Sequence, residues 1–239
     1  MSPSPRLPPL NVACNACNLT RICLPNGMLA DHVRSLNDVV RRNRTLRKGD
    51  AIYLAGERFS GIFALRSGSA KLVYSDSEGQ EMIVAVLLPG ELLGFDGVST
   101  GRYRCSLVTL ETSSYCELPA HDLRRLGQEQ PAIQEILLQR TAEQFDQSIE
   151  RMAAIQQPAD ARLAGFLLDL AERFRRRGFS AERFHLSLTR QEIGNHLGLA
   201  LETVSRLLGK FEARHLIRVR GRSIEILEAS GLRRIGRTD

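Results

Sequence analysis

The chain has 239 residues, of which 43% are hydrophobic and 25% charged, and its formal net charge is +6. No apolar run approaches the ~20 residues that cross a bilayer, which excludes a membrane-spanning protein and predicts a soluble one. Residues 1–157 carry 17 basic and 17 acidic side chains, whereas residues 158–239 carry 16 and 10. This asymmetry favours a basic module that meets a polyanion, joined to a neutral module. The alternative is a solvated arginine-rich surface without a ligand.

Residues 1–27 form an arm that is rich in Pro and Asn and shows little periodicity. It contains three of the five cysteines, Cys14, Cys17 and Cys23. Its start lacks the apolar stretch of a secretory signal, so we expect a cytoplasmic protein. Thiols stay reduced in that compartment, where clustered cysteines are more often metal ligands or redox groups than disulfides.

Short β-prone runs separated by glycine turns fill residues 46–118. The turn signals KGD, SGS, DSEGQ and PGE bracket the runs AIYL, GIFAL, AKLVY and MIVAVLL. Short strands at nearly regular spacing predict an all-β sandwich or barrel. We prefer a double-sheet jelly roll (double-stranded β-helix) and assign it to residues 28–130.

Past Pro131 the hydrophobic period becomes helical and predicts one long helix over residues 131–157. Its apolar stripe is Ile133, Leu137, Phe145, Ile149, Met152 and Ile155. A stripe this narrow favours a two-stranded coil with a second copy of the chain, so these six residues are the predicted homodimer seam. The alternative is that the stripe packs on the protein's own jelly roll.

The C-terminal third, residues 158–239, predicts a winged helix-turn-helix. Thr189 and Glu192 match a capping box that opens one helix, and Gly198 can end it. A second helix is predicted from about Ala200 to Arg214. The segment IRVRGRSIEI then supplies two β-prone runs around a basic glycine turn, as in a wing.

The polar face of the second predicted helix carries groups that suit double-stranded DNA. Arg206 can donate to guanine, Glu202 can accept from cytosine, and Ser205 can reach a thymine or a phosphate. Phosphate contacts are predicted for Arg190, Lys210, Arg220 and Arg222. The alternative is that Glu202 and Arg206 form an ordinary exposed pair one helical turn apart.

On these residues the chain resembles the CRP/FNR superfamily of bacterial transcription regulators, and within it the oxygen-sensing FNR branch. The most specific stretches are TRQEIGNHLGLALETVSRLLGKF and, in the arm, CNACNLTRICLP. The resemblance covers the chain from Cys14 onward in the family's order of cysteine arm, jelly roll, dimerisation helix and winged helix-turn-helix. It implies an α+β protein that regulates transcription. An iron-sulfur or thiol enzyme is the last alternative, because catalysis usually needs a base beside a nucleophile and the five histidines show no paired motif, so we expect no enzyme.

The resemblance also implies how the protein meets DNA. The family's E-x-x-S-R pattern falls on Glu202, Ser205 and Arg206, which in the FNR branch read half-sites of the TTGAT type. Leu201 stands where the cyclic-AMP-responsive branch often has arginine, which favours FNR-like specificity. A homodimer on a palindromic operator and contact with RNA polymerase are implied as well.

A metal centre follows from the same resemblance. The C-x-x-C-x5-C pattern of the FNR branch falls on Cys14, Cys17 and Cys23, and its distant fourth ligand falls on Cys116, which implies a 4Fe-4S cluster. Apart from the family, four thiolates suit an iron-sulfur cluster or a tetrahedral zinc ion, and the spacing leaves both open. Cys105 matches no ligand position, so we expect a small buried hydrophobe, with a resolving thiol as the alternative.

Three mechanisms follow from these patterns. In the first, an intact cluster ties the arm to the jelly roll beside the long helix, and oxygen releases the arm and separates the dimer. In the second, the effector is a cyclic nucleotide or another small molecule, because PGEL (89–92) resembles the start of a phosphate cassette. The cassette's Arg-Ser-Ala is RCS here, so we interpret Glu91 as a turn residue. The third is a zinc or thiol redox regulator.

Overall fold

The computed structural model describes residues 12–24, 26–42 and 45–236. The first eleven residues of the predicted arm, Pro25 and the last three residues of the predicted DNA-binding region lie outside the described residues. The helices are α1 (Ala30–Val39), α2 (Ala120–Glu129), α3 (Pro131–Ile155), α4 (Ala159–Arg176), α5 (Arg190–Leu197), α6 (Leu201–Ala213) and α7 (Ala229–Gly236). The strands are β1 (Arg41–Arg42), β2 (Ala51–Tyr53), β3 (Gly61–Ser67), β4 (Ala70–Ser75), β5 (Glu81–Leu87), β6 (Leu92–Leu93), β7 (Ser106–Thr109), β8 (Ser114–Pro119), β9 (Arg183–His185), β10 (Ile217–Arg220) and β11 (Ser223–Ile226).

The sensor domain is built from two four-stranded antiparallel sheets, with strand orders β1-β8-β3-β6 and β2-β7-β4-β5. The predicted α+β class with a jelly-roll sensor is confirmed. Glycine is required at the turn between β3 and β4, because Gly68 has a φ of 79°. A Cβ atom there would lie 2.2 Å from the Ser113 hydroxyl oxygen and 2.6 Å from the Thr112 carbonyl oxygen.

Aromatic rings fill the space between the two sheets. The rings of Tyr53 and Tyr103 stack with centroids 3.9 Å apart, and Phe63 lies 5.3 Å from Tyr53. The buried Tyr103 hydroxyl donates to the Gly61 carbonyl at 2.7 Å and accepts from the Ser60 amide at 3.1 Å. Its polar atom is therefore satisfied, and the rings fix the separation of the sheets.

The long helix α3 divides into a buried start and an open remainder. Ile133 is completely buried in a cluster with Leu36, Ile62 and Leu126, and Leu137 packs partly against the same cluster. Our prediction that Ile133 belongs to a homodimer seam is therefore wrong, because its side chain is consumed by the sensor's own core. Beyond it, five apolar side chains are exposed: Leu138, Phe145, Ile149, Met152 and Ile155.

The C-terminal domain docks on β5, the edge strand of the second sheet. Asn195 of α5 accepts from the Ile83 amide at 2.6 Å and donates to the Glu81 carbonyl at 2.7 Å. The ring of His196 places Nδ1 2.8 Å from the Ile83 carbonyl oxygen. Burial lowers the pKa of His196, so the ring is neutral near pH 7 and Nδ1 carries the proton that this carbonyl accepts. These side chains cap backbone groups that a free edge strand leaves unpaired.

Apolar packing and an ion pair reinforce this docking. Ile83 and Val86 of β5 belong to the same buried cluster as Leu167 of α4 and Ile193 of α5. Lys71 of β4 pairs with Glu192 at 2.8 Å. The sensor and the C-terminal domain thus share one continuous core. Within the described ranges, no helix combines the length and the apolar character needed to cross a bilayer.

Glu91 joins the sensor to α4. Its carboxylate accepts from the Leu88 amide at 3.1 Å, as a turn residue does, and it also pairs with Arg173 at 2.7 Å and Arg177 at 2.6 Å. The Arg177 side chain is only 4% exposed, and burial lowers its pKa. One carboxylate therefore compensates two guanidinium groups at the domain boundary.

We expect Glu91→Gln to lower the free energy of unfolding by roughly 2–3 kcal/mol, because Arg177 loses its counter-charge and Arg173 keeps only the exposed Asp169. Urea unfolding followed by circular dichroism measures this. Glu172→Gln is the matched control, since Glu172 pairs with Arg175 and Arg176 on the exposed face of α4 and its loss has little effect. Equal midpoints for the two variants would contradict a role for Glu91 in docking.

Candidate DNA interface and four-cysteine pocket

Helices α5 and α6 form a tight helix-turn-helix. The capping box is present, with the Glu192 amide donating to the Thr189 hydroxyl at 3.1 Å and the Thr189 amide donating to the Glu192 carboxylate at 2.8 Å. Gly198 ends α5 in the left-handed conformation, with φ 63° and ψ 42°. Gly194 allows the close approach of the turn, because an added Cβ atom would lie 2.4 Å from the Leu199 carbonyl oxygen.

Helix α6 buries one face and presents the other. The buried side chains are Val204, Leu207, Leu208 and Phe211. Glu202, Arg206 and Lys210 are exposed on the opposite face, and Ser205 is partly exposed. Arg190 lies 3.4 Å from the Ser205 hydroxyl. The structure thus brings the predicted base-reading residues together on one accessible surface.

The wing is the hairpin of β10 and β11, which pairs with β9 in a three-stranded sheet. Gly221 turns the hairpin with a φ of 61°, and Arg220 and Arg222 beside it are exposed. Arg222 donates to the Ser187 carbonyl at 3.2 Å. Lys210 lies 3.4 Å from Asp160 of α4, so this lysine is held at the margin of the basic surface.

Comparison with known proteins gives the same two-part division. The model of the Crp-like helix-turn-helix domain matches residues 161–235, and the model of the cyclic nucleotide-binding domain matches residues 43–130. The transcriptional activator protein anr of Pseudomonas aeruginosa is 38% identical over 217 residues, which cover 90% of this chain and 89% of that protein. This chain belongs to the CRP/FNR family. It is therefore a DNA-binding transcription regulator.

Other relatives and a solved structure agree. The fumarate and nitrate reduction regulatory protein of Vibrio cholerae is 33% identical over 222 residues, which cover 92% of this chain and 89% of that protein. The structure of FixK2 from Bradyrhizobium japonicum superposes with a TM-score of 0.77 at 24% identity, covering 84% of this chain and 99% of that one. The fold of this CRP/FNR regulator is thus shared along nearly the whole of FixK2.

The four cysteines singled out from the sequence line one pocket between the arm and the sensor. Cys14, Cys17 and Cys23 come from the arm, and Cys116 comes from β8. Apolar side chains surround them, among which Leu19 and Leu24 of the arm are almost completely buried. All four cysteines are free of disulfides.

Burial keeps the thiols of Cys14, Cys23 and Cys116 protonated in the absence of a metal. It raises the pKa of Cys23 to about 12, and it also raises the pKa values of Cys14 and Cys116. The positive charges of Arg42 and Arg66 oppose this effect and partly offset the increase in the pKa values of Cys14 and Cys116. A group that replaces the thiol protons would therefore gain from the two nearby guanidinium charges.

The chemistry of this donor set fits a thiolate-ligated group. In the part of the chain that the structure describes, no three or more His, Cys, Asp or Glu side chains are drawn together around a single ion position. The four cysteines nevertheless line one pocket. Four thiolates can hold either a tetrahedral zinc ion or an iron-sulfur cluster.

Polar side chains shape the arm around this pocket. The Thr20 hydroxyl lies 2.6 Å from the carbonyl oxygens of both Cys14 and Cys17, and the Cys14 amide donates to Asn37 of α1 at 3.1 Å. Ile22 packs over the turn at Gly90, where an added Cβ atom would lie 2.7 Å from it. The roles of Asn37 and Gly90 were not predictable from local sequence patterns, because their partners in the arm lie far away along the chain.

Cys105 lies apart from the pocket and is 8% exposed. Burial, with a contribution from the nearby Asp96 carboxylate, raises its pKa to about 11. A thiol that remains protonated is a poor nucleophile, which argues against a resolving role. His196 of α5 bonds to the sensor.

Glu91, in the stretch that resembles a phosphate cassette, has partners within the protein. Its carboxylate is occupied by Arg173 and Arg177 of α4 and is not free for a ligand.

We expect opposite effects from two glycine substitutions in the helix-turn-helix. Gly194→Ala lowers the free energy of unfolding by roughly 1–3 kcal/mol, because the new methyl group meets the Leu199 carbonyl and overpacks the turn. Gly209→Ala in α6 raises it by about 0.5–1 kcal/mol, because no atom lies within 4 Å of the added Cβ atom and alanine favours the helix. Thermal unfolding of both variants measures this, and effects of the same sign would contradict the close turn.

Proposed function

We propose that this CRP/FNR regulator responds to oxygen through a 4Fe-4S cluster held by Cys14, Cys17, Cys23 and Cys116. The single observation that carries the proposal is the common pocket of these cysteines, which come from the arm and from the last strand of the sensor. When bound, such a cluster supplies reactivity toward oxygen, and its thiolate ligands are the family's expected set. The protein contributes the apolar wall and the two arginines near the sulfur atoms.

The names of the relatives support control by oxygen supply. Two are a fumarate and nitrate reduction regulatory protein and, in Haemophilus influenzae, an anaerobic regulatory protein that is 33% identical over 222 residues. The nucleotide alternative receives no support from Glu91, whose carboxylate is paired with Arg173 and Arg177.

The exposed part of α3 supports a homodimer. Leu138, Phe145 and Met152 recur every seven residues, and Ile149 lies between the last two. Phe145 is 64% exposed and Met152 60% exposed, which is unusual for a continuous apolar face on a free monomer. A second copy of α3 provides the matching surface of a two-stranded coil. We define the α3 seam as Leu138, Phe145, Ile149, Met152 and Ile155. Leu138 takes the place of the predicted Leu137, whose side chain is partly buried against the sensor core.

A dimer presents two α6 helices to DNA. We propose that Glu202, Ser205 and Arg206 read TTGAT-type half-sites, and that Arg190, Lys210, Arg220 and Arg222 contact phosphates. Because both half-sites contribute to one binding event, separation of the protomers weakens binding strongly. Activation would include contact with RNA polymerase.

The pocket is connected physically to α3. Leu92 lines the pocket, and its carbonyl oxygen accepts from Gln144 of α3 at 2.6 Å. Leu24, Ile62 and Leu118 also line the pocket and belong to the cluster that holds Ile133. Displacement of the arm would therefore disturb the packing on which α3 rests, and this is how loss of the cluster would reach the α3 seam.

The first test is purification without air, with iron, sulfide and zinc analysis. We expect a brown dimer with the iron and sulfide content of one 4Fe-4S cluster, which bleaches and becomes monomeric in air as measured by light scattering. Cys116→Ser should lose the cluster, whereas the matched control Cys105→Ser should keep it. A colourless wild-type protein containing zinc, or a mass that does not change in air, would refute the oxygen switch.

The α3 seam can be tested separately. Under anaerobic conditions, Phe145→Ser should raise the dimer dissociation constant about tenfold or more, because each protomer loses an aromatic side chain from the interface. Phe179→Ser is the matched control, since Phe179 is also exposed, at 58%, but lies beyond α4. Sedimentation equilibrium measures both variants, and a dimer insensitive to Phe145→Ser would place the interface elsewhere.

A further inference from the structure

Arg42 occupies a position that touches both halves of the cysteine site. It lies on β1, directly opposite Cys116 of β8 in the antiparallel register. Its guanidinium group lines the same pocket as the four cysteines. The backbone of Arg42 is therefore paired with the distant cysteine, while its side chain reaches the arm.

The guanidinium group makes several contacts with the arm and with α1. Its Nε atom donates to the Val12 carbonyl at 2.9 Å, and Nη2 lies 3.8 Å from the Cys14 sulfur. Nη2 also donates to the Asn37 side-chain oxygen, which in turn accepts from the Cys14 amide at 3.1 Å. Cys14 is thus held at its sulfur and at its amide, and Arg42 takes part in both contacts.

The planar fork of arginine is needed for this arrangement. Separate nitrogen atoms reach the carbonyl of one arm residue and the sulfur of another, which a single ammonium group does with poor geometry. A donor beside a ligating sulfur also favours the more reduced, more negative state of an iron-sulfur cluster. The position of Cys14 and the electrostatic environment of its sulfur therefore both depend on the Arg42 side chain.

We propose that Arg42 is a positioning residue that fixes Cys14 against the strand of Cys116 and so assembles the four-cysteine site before any metal binds. The inference rests on the proposed function for the identity of the bound group. The assembly itself is a property of the metal-free protein, so it can be tested apart from the cluster.

The first experiment measures the approach of Cys14 to Cys116 in the metal-free full-length chain. A background of Cys17→Ser, Cys23→Ser and Cys105→Ser leaves only this pair. The rate of cross-linking by a short bismaleimide is divided by the rate of single labelling by N-ethylmaleimide, which corrects for thiol reactivity.

We expect Arg42→Gln to lower this ratio about tenfold, the effect of losing a charge-assisted hydrogen bond. Arg41→Gln is the matched control, because Arg41 is the exposed neighbour on β1 and does not line the pocket. Arg42→Lys keeps the charge but not the fork, so its ratio should also fall. Far-UV circular dichroism verifies that each variant is folded.

A second experiment uses the chain with all five cysteines, reconstituted without air. Arg42→Gln should hold less iron and sulfide per chain than Arg41→Gln, and its cluster should have a more negative midpoint potential. Arg42→Lys should restore most of the potential, since it restores the charge.

The outcomes separate the two proposals. A normal cross-linking ratio in folded Arg42→Gln or Arg42→Lys overturns the role of Arg42, whatever the metal content. If the wild-type chain binds no cluster, the proposed function fails, while the cross-linking ratio still decides whether Arg42 positions Cys14. A ratio that is reduced in both Arg42→Gln and Arg42→Lys but not in Arg41→Gln, together with a lower iron content in Arg42→Gln, supports both proposals.

Discussion

The arm lies against the sensor because this contact removes its apolar side chains from water. The four-cysteine pocket depends on that contact. Leu19 and Leu24 are 6% and 4% exposed, and Ile22 packs over Gly90, where glycine leaves the space that it fills. The pairing of β1 with β8 sets Cys116 opposite Arg42, whose side chain reaches the Cys14 sulfur. The arm is too short to form a hydrophobic core of its own, so its apolar side chains pack on the sensor.

The C-terminal domain also packs on the sensor, at the edge strand β5. A terminal strand such as β5 exposes backbone donors and acceptors that are costly to leave unpaired when apolar surface surrounds them. Asn195 and His196 of α5 supply the missing partners, while α4 supplies Arg173 for the Val86 carbonyl at 2.6 Å. The first helix of the helix-turn-helix, α5, therefore contacts the sensor, and the polar face of α6 stays exposed to solvent.

Local patterns made part of this architecture predictable. The capping box at Thr189, the turn at Gly198 and the wing around Gly221 are specified by neighbours in the sequence, and the hydrophobic period placed Phe145 and Ile149 on an open face. Ile133 was assigned to the wrong surface because a periodic stripe does not say which body covers it. The roles of Arg42 and His196 depend on partners in distant elements, which no spacing within the sequence encodes.

The shared core has a geometric consequence for operator recognition. Movement of the C-terminal domain relative to its own sensor would expose Ile83 and Val86 to water. It would also break the ion pairs of Glu91 with Arg173 and Arg177. The sensor and the C-terminal domain of one protomer are therefore expected to move as one body, with the polar face of α6 on its surface. In the proposed dimer, the distance between the two α6 helices would be set where the protomers meet, so the spacing of half-sites along DNA would report the crossing angle of the two α3 helices.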